Sequence, residues 1–184
     1  MRKLILFNMT TLDCFFADSS GAIDWHVVDE EFHAFGLQQL DSADTLLFGR
    51  VTYQLMAGYW PTEAAIQRDP LIAAKMNQTT KVVFSRTLDR VAWANSRLVK
   101  EKAVEEVARL KQQPGKDMLI FGSANLAATL TQSRLIDEYR MMVVPMVLGS
   151  GRPLFQDIEG RLPLRLLNTR AFRSGNVLLA YQPK

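Results

Sequence analysis

Three short segments of this chain combine glycine, hydroxyl and arginine residues in a pattern that suits phosphate binding. They are Phe48-Gly49-Arg50-Val51-Thr52, Phe84-Ser85-Arg86 and Phe121-Gly122-Ser123-Ala124-Asn125. Glycine lets the backbone approach a ligand, an arginine fork grips phosphate oxygens or stacks on adenine, and the N–H groups that open a helix attract anions. Any one segment alone is more typical of an ordinary turn. The three together favour a phosphorylated ligand.

The common nucleotide fingerprints are absent. No G-x-G-x-x-G follows the first apolar run, and no G-x-x-x-x-G-K-[ST] occurs, so neither a Rossmann fingerprint nor a P-loop is available. A dinucleotide therefore requires another fold.

The elements that must position these segments alternate between strands and helices. Apolar runs end at polar or glycine residues, and helical spacing follows several of them. The final part predicts a hairpin, in which Leu162 to Phe172 pairs with Val177 to Tyr181 across Ser174-Gly175-Asn176. Strands are predicted over residues 3–10, 45–48, 81–84, 96–99 and 118–121, and helices over residues 28–36 or beyond, 51–57, 64–77 (interrupted by Pro70), 101–113 and 124–131.

This order predicts a single α/β domain over residues 1–184, with three αβα layers and a mixed, mostly parallel sheet that ends in an antiparallel C-terminal hairpin. In parallel sheets, ligands bind at the carboxyl ends of the strands. The three candidate segments all follow strands, so we expect them at one shared edge.

Composition excludes several function classes. A formal charge of +3, scattered over 22 basic and 19 acidic residues, lacks the clustered basic face of a nucleic-acid binder. The lone Cys14 excludes an internal disulfide, and with His26 and His33 it has no zinc spacing, so no metal site is expected. The short apolar run near the N-terminus suits neither a signal peptide nor a membrane span, and a cytoplasmic protein is expected.

The residues resemble the dihydrofolate reductase-like group, especially the reductase domain of the bifunctional riboflavin-synthesis deaminase-reductase. The resemblance covers nearly the whole chain and depends on the order and spacing of its segments. These are Met9-Thr10-Thr11-Leu12-Asp13, Ile23-Asp24-Trp25, Leu47-Phe48-Gly49-Arg50-Val51-Thr52-Tyr53, Val83-Phe84-Ser85-Arg86, Ile120-Phe121-Gly122-Ser123-Ala124 and Val144-Pro145-Met146-Val147-Leu148-Gly149-Ser150-Gly151.

The resemblance implies NADPH as the hydride donor and a small heterocyclic substrate, pterin-like or similar to 5-amino-6-(5-phosphoribosylamino)uracil. It also implies a homodimer. The implied cofactor residues are Gly49, Arg50 and Thr52 near the 2′-phosphate and diphosphate, Ser85 and Arg86 near the adenosine, Gly122, Ser123, Ala124 and Asn125 at the diphosphate, and Met9, Thr10 and Phe16 at the nicotinamide, while Asn8, Asp13, Trp25 and Phe32 would bind substrate.

A reductase of this kind also needs a group that protonates the substrate. Asp24 is the first candidate, because an apolar ring such as that of Trp25 favours the protonated form of a neighbouring carboxyl group, and Glu31 is the second. Asp24 could equally cap the following helix, and Trp25 could equally belong to the core.

Two features depart from the family pattern. Cys14 stands where many relatives have glycine, and we expect it to alter the path of the first loop unless it is simply a small buried hydrophobe. No deaminase zinc motif is present, so a stand-alone reductase-like domain is expected. Cys14, together with the lack of an unambiguous counterpart of the dihydrofolate reductase carboxyl group among Asp24, Asp29, Glu30 and Glu31, keeps open a second hypothesis, a non-catalytic nucleotide-binding module. A third hypothesis is a protein-interaction domain without a ligand.

Overall fold

The computed structural model describes residues 1–156 and 158–184, and its centre is an eight-stranded mixed sheet. In chain order the elements are β1 (Leu4–Thr11), β2 (Phe15–Ala17), α1 (Glu30–Ser42), β3 (Ala43–Gly49), α2 (Arg50–Tyr59), α3 (Glu63–Arg68), α4 (Pro70–Gln78), β4 (Thr80–Phe84), β5 (Ser96–Val99), α5 (Ala103–Lys111), β6 (Asp117–Phe121), α6 (Ala124–Gln132), β7 (Glu138–Val144), β8 (Arg152–Pro153), β9 (Leu164–Ala171) and β10 (Val177–Pro183).

The strand order is β5-β4-β3-β6-β1-β7-β10-β9. Strands β5 through β7 in that order are mutually parallel, and β10 runs antiparallel to both of its neighbours, β7 and β9. The predicted parallel sheet with an antiparallel C-terminal hairpin is therefore confirmed. Since parallel strands end on the same side, the segments after β3, β4 and β6 reach a common edge.

Helices cover both faces of the sheet, which makes three layers. All eight residues of β1 are buried, as expected of a central strand that is covered on both sides. Successive side chains point to opposite faces, so Leu4 packs towards α5 and α6, whereas Ile5 packs towards α1, α2 and α4. The core is thus divided into two apolar layers by the sheet.

The structure corrects two local predictions and contains one small sheet that was not predicted. Helix α1 begins at Glu30, because the Asp29 carboxylate caps it by accepting the Phe32 N–H at 2.7 Å; Asp24 is not its cap. The interrupted helix predicted over residues 64–77 is two helices, since a proline opens α4. The two-stranded sheet of β2 and β8 was not predicted, because its strands have only three and two residues.

Strand β9 forms one edge of the sheet and is exposed along most of its length, including Leu164, Leu166 and Leu167. The homodimer expected from the sequence stays a prediction, and this edge is the place where we would expect its interface. In the described part of the chain, none of the helices has the length and apolar character needed to span a bilayer.

An ion-pair cluster connects β5 to α5, the two elements on either side of the turn at residues 100–102. Glu106 accepts hydrogen bonds from Arg109 at 2.9 and 2.8 Å and also pairs with Arg97. These bonds, with Arg109 the larger influence, lower the pKa of Glu106 to about 2 from its ordinary 4.5. The stabilisation is therefore complete above pH 4.5 and is lost as the pH falls through about 2.

We expect Glu106→Gln to lower the thermal unfolding temperature at neutral pH, and we expect the difference from the wild type to shrink below pH 4.5 and to vanish towards pH 2. Thermal unfolding followed by circular dichroism across this range measures the difference. Glu105→Gln, on the exposed side of the same helical turn, is the control. A difference that stays constant down to the lowest pH would contradict the assignment.

Candidate functional site

A cavity of about 1180 Å³ opens at the shared carboxyl edge of the parallel strands. Its walls include the residues that follow four of these strands: Gly49–Thr52, Ser85–Arg86, Lys100–Ala103 and Gly122–Leu126. A pocket for one drug-sized molecule usually has roughly 300 to 1000 Å³. The volume of this cavity exceeds that range, so it has room for a ligand larger than one drug-sized molecule.

The ends of β3 and β6 are joined by hydrogen bonds at the cavity wall. The Gly49 N–H donates to Ser123 Oγ at 2.7 Å, and this hydroxyl donates to Thr52 Oγ1 at 2.9 Å. A Cβ on Gly49 would lie 2.9 Å from Ser123 Oγ. A Cβ on Gly122, which has φ +59°, would lie 3.1 Å from Thr52 Oγ1. Both glycines are thus required for this close approach.

At the cavity, the N-termini of α2 and α6 have no side-chain cap among the described residues. Gly49 precedes α2 and has no side chain, while the Ser123 hydroxyl, which precedes α6, is occupied by the bonds to Gly49 and Thr52. Neither helix has an acidic residue in its first turn. The N–H groups of both first turns therefore remain available to an anion at the cavity wall.

Cationic side chains surround these helix ends. Arg50 and Arg86 line the cavity as the sequence predicted, and they are joined by Lys100 and Lys102 from the β5–α5 turn. Sequence analysis missed the two lysines, because β5 is short and only weakly apolar. The signal was nevertheless present, since this turn too connects a parallel strand to a helix. The helix ends and these four cations outweigh the carboxylate of Glu101, which lines the cavity between the two lysines, and form an electropositive wall suited to phosphates.

Most of the predicted cofactor residues are brought together in this cavity. The lining includes Met9, Phe16, Gly49, Arg50, Thr52, Ser85, Arg86, Gly122, Ser123, Ala124 and Asn125, as well as Asn8 and Phe32 from the predicted substrate set. Thr10 is the exception among the cofactor residues. It is buried in β1 beside Val143 of β7 and does not reach the cavity.

The inner wall of the cavity contains polar atoms without a protein partner. Asn8 is only 8% exposed; its Oδ1 accepts the Met9 N–H at 3.0 Å, but its Nδ2 donor is unpaired. His26 Nε2 is also buried and unpaired, and burial lowers the pKa of His26 to about 4. His26 is therefore uncharged at neutral pH. Buried polar atoms in native proteins are normally hydrogen-bonded, whereas these two atoms have no partner among the described residues and are themselves covered from solvent.

The structure does not support a buried carboxyl group at either predicted catalytic position. Asp24 is exposed and is not part of the cavity lining. Glu31 accepts the Arg173 backbone N–H at 3.0 Å and a bond from Arg170 Nη2 at 2.8 Å, and these bonds lower the pKa of Glu31. A carboxyl group that donates a proton near neutral pH needs a raised pKa, so Glu31 has the opposite environment.

Two of the predicted substrate residues, Asp13 and Trp25, lie outside the cavity lining, as does Cys14 of the first loop. The Asp13 carboxylate accepts the N–H groups of Leu148 at 3.3 Å and Gly149 at 2.8 Å, which anchors that loop. Trp25 packs against the apolar cluster around Phe7 and Phe35, as its core interpretation predicted. Cys14 is exposed, not buried, and has φ +69°, the left-handed conformation that glycine favours.

A histidine–aspartate pair in the cavity wall was not predicted as a site. His33 of α1 and Asp69, which precedes α4, both line the cavity, and 3.2 Å separates His33 Nδ1 from Asp69 Oδ1. From its sequence context, His33 was assessed only as a metal ligand, together with His26. The two partners lie far apart in the chain, so no local motif indicates them.

Comparison with known proteins places these features in a family context. The family model described as the RibD C-terminal domain matches residues 2–178. The uncharacterized protein YyaP of Bacillus subtilis (strain 168) is 34% identical over 180 residues, which are 98% of this chain and 94% of that protein. Both matches extend over almost the whole chain.

Solved structures give the same result for the fold. A putative riboflavin biosynthesis protein from Shewanella sp. PV-4 has a TM-score of 0.76 and 26% identity, covering 99% of each chain. The Thermotoga maritima deaminase/5-amino-6-(5-phosphoribosylamino)uracil reductase has a TM-score of 0.70 at 13% identity, covering 100% of this chain and 57% of its own. An Enterococcus faecalis dihydrofolate reductase complexed with NADP(H) has a TM-score of 0.67 at 14% identity, covering 99% of this chain and 96% of its own. The last two likenesses concern the fold alone.

Proposed function

The chain belongs to the RibD C-terminal domain family, and on this premise we propose that it is an NADPH-dependent reductase of a small heterocyclic substrate. Its fold is that of the dihydrofolate reductase-like group. The observation that supports the proposal best is the electropositive cavity wall, where two uncapped helix N-termini and Arg50 meet. One neighbour in fold was solved with NADP(H), and another is a uracil-derivative reductase.

The residues of the cavity suit each part of the cofactor. The first-turn N–H groups of α2 and α6 would hold the diphosphate, and Arg50 would hold the 2′-phosphate. Ser85 and Arg86 would flank the adenosine. Asn8, Met9 and Phe16, which line the inner part of the cavity, would border the nicotinamide. The close contacts of Gly49 with Ser123 and of Gly122 with Thr52 hold the N-termini of α2 and α6 side by side at the cavity wall.

When bound, NADPH supplies a hydride for the carbon of a C=N or C=O group. The chain supplies binding and exclusion of water. Phe7, Phe16 and Phe32 contribute apolar surface to the inner cavity wall, and such surface keeps water away from a reacting carbon. Further apolar side chains between α1, α2 and α4 give a flat ring an environment suited to stacking; these are Leu40, Met56, Tyr59, Trp60, Ile72 and Met76.

A panel of substrates tests this function. NADPH oxidation is followed by nicotinamide absorbance with 5-amino-6-(5-phosphoribosylamino)uracil, dihydropterins and aminopyrimidines as acceptors. We expect NADPH to bind in a calorimetric titration and at least one acceptor to be reduced, with one NADP⁺ formed per product. Absence of NADPH binding would contradict the proposal as a whole, including the interpretation of the cavity.

A second candidate is a nucleotide-binding module without catalysis. The observation that favours it is that neither of the two carboxyl groups predicted to deliver a proton, those of Asp24 and Glu31, is part of the cavity lining. NADPH binding without turnover of any acceptor would support this module. An interaction domain without a ligand would show neither binding nor protection from thermal unfolding by NADPH.

A further inference from the structure

The wall of the cavity between α1 and α4 contains an imidazole held by a carboxylate. His33 Nδ1 lies 3.2 Å from Asp69 Oδ1, and the side chains are 30% and 12% exposed, respectively. Both residues line the cavity. A carboxylate at this position favours the proton on Nδ1, which leaves Nε2 as the atom that exchanges protons with a ligand.

Asp69 lies immediately before α4, at the position of a helix cap, but its carboxylate has a role other than capping. Aspartate before a helix usually accepts a first-turn N–H, and this cap contributes about 1 kcal/mol. Asp29 caps α1 in this way, with its carboxylate 2.7 Å from the Phe32 nitrogen. Asp69 holds the same position before α4 but makes no such bond. Its oxygens are directed to His33 and, at 3.9 Å, to Arg68 Nε.

A second ion pair connects the same two helices and provides a contrast. Asp41 of α1 pairs with Lys75 of α4, and neither residue lines the cavity. If the only requirement were to hold α1 against α4, a pair of that kind would meet it. The His33–Asp69 pair differs because it combines an acid–base side chain with exposure to the cavity.

We propose that His33 is the proton donor of the reduction and that Asp69 is its positioning residue, an inference that rests on the proposed reductase function. The substrate carbon gains the hydride and its two electrons from the nicotinamide, which is oxidised to NADP⁺. The π electrons of the C=N or C=O bond move to the heteroatom, which forms a bond to the proton that the His33 imidazolium carries on Nε2. That N–H bond breaks, and the neutral imidazole regains a proton from solvent.

A first experiment requires no substrate. Nitrogen NMR of the ¹⁵N-histidine-labelled protein reports the tautomer of each neutral imidazole, and only two histidines, His26 and His33, must be distinguished. We expect neutral His33 to carry its proton on Nδ1 and Asp69→Asn to shift the population towards the Nε2–H form. Asp41→Asn, which breaks the other α1–α4 pair, should leave the tautomer unchanged. A wild-type His33 in the Nε2–H form would overturn the assignment of Asp69.

A second experiment measures catalysis, with the acceptor of the panel that the wild type reduces fastest. We expect His33→Gln to lower kcat by roughly 10² to 10⁴-fold, the usual effect of losing a general acid, with KM and the NADPH Kd little changed. Asp69→Asn should lower kcat by a smaller factor in the same way, and Asp41→Asn should retain the wild-type kcat. A His33→Gln variant that keeps its kcat would overturn the proposal.

The two failures can be distinguished. A protein that binds NADPH but reduces no acceptor has lost the proposed function, and the proton-donor role is overturned with it, whatever the NMR shows. A protein that reduces an acceptor equally well without His33 keeps the proposed function and overturns only this inference. Equal thermal stability of the Asp69→Asn and Asp41→Asn variants would confirm that a difference in kcat does not arise from unfolding.

Discussion

Arg50→Ala is expected to weaken NADPH binding by roughly 1.5 to 3 kcal/mol, about 10- to 150-fold, and to leave NADH binding almost unchanged. The guanidinium of Arg50 is exposed at the first residue of α2, and its Nη1 donates to the uncharged Gln54 Oε1 at 3.2 Å. Because Gln54 is uncharged, this bond leaves the positive charge of Arg50 available to a ligand. A 2′-phosphate is present in NADPH and absent in NADH, so a charge-assisted bond to it affects one cofactor only.

Calorimetric titration of both cofactors measures this selectivity. Arg165→Ala is the matched control, since Arg165 is an exposed arginine of β9 outside the cavity lining, and both cofactors should bind to it as to the wild type. Low ionic strength enlarges the effect, because salt screens exposed charges. If the two cofactors lost affinity equally, Arg50 would contact a part that they share, and the assignment to the 2′-phosphate would be wrong.

Gly122→Ala is expected to lower the free energy of unfolding by roughly 1 to 2 kcal/mol, the usual cost of a left-handed conformation for a residue with a Cβ. Gly122 has φ +59°, and its new Cβ would lie 3.1 Å from Thr52 Oγ1. Either Thr52 moves or the turn changes, and both outcomes disturb the bond from Ser123 Oγ to Thr52 Oγ1. We therefore expect the affinity for NADPH to fall at least about tenfold, which is the effect of losing one charge-assisted hydrogen bond between the protein and the cofactor.

Gly58→Ala provides the control for this substitution. Gly58 lies in α2 with nothing within 4 Å of an added Cβ, so alanine should raise stability by up to roughly 1 kcal/mol through its higher helix propensity. Denaturant unfolding and NADPH titration of both variants make the comparison. A Gly122→Ala variant that unfolds and binds NADPH like the wild type would show that the turn tolerates a side chain, and that its close approach is not needed for the cofactor.

The local sequence predicts much of the fold because its signals are short-range. The apolar run of β1 marks a central strand, and the repeated strand, glycine, helix units mark parallel strands with helices between them. The hairpin of β9 and β10 follows from the Ser174-Gly175-Asn176 turn. The start of α1 was misplaced, since it depends on whether Asp24 or Asp29 provides the cap, and both are suitable residue types.

The predicted cofactor residues converge for a simple topological reason. Each segment follows its own strand, and parallel strands end at one edge, so glycine, serine and arginine residues placed after β3, β4 and β6 must meet there. No knowledge of helix packing was needed for that conclusion. Lys100 and Lys102 follow the same rule after β5 and could have been found in the same way.

The acid–base chemistry of the inner cavity is different, because it depends on how helices pack against each other and against β9. The sequence alone made Glu31 a reasonable candidate for the proton donor. In the structure, β9 and the turn after it place Arg170 and Arg173 at its carboxylate, which favours the charged form. His33 and Asp69 meet only because α1 packs beside α4. Strand order and turn chemistry depend on residues that are close in the chain. The partner of a charged side chain such as Glu31 or His33 depends instead on contacts between distant segments, and no local pattern encodes these contacts.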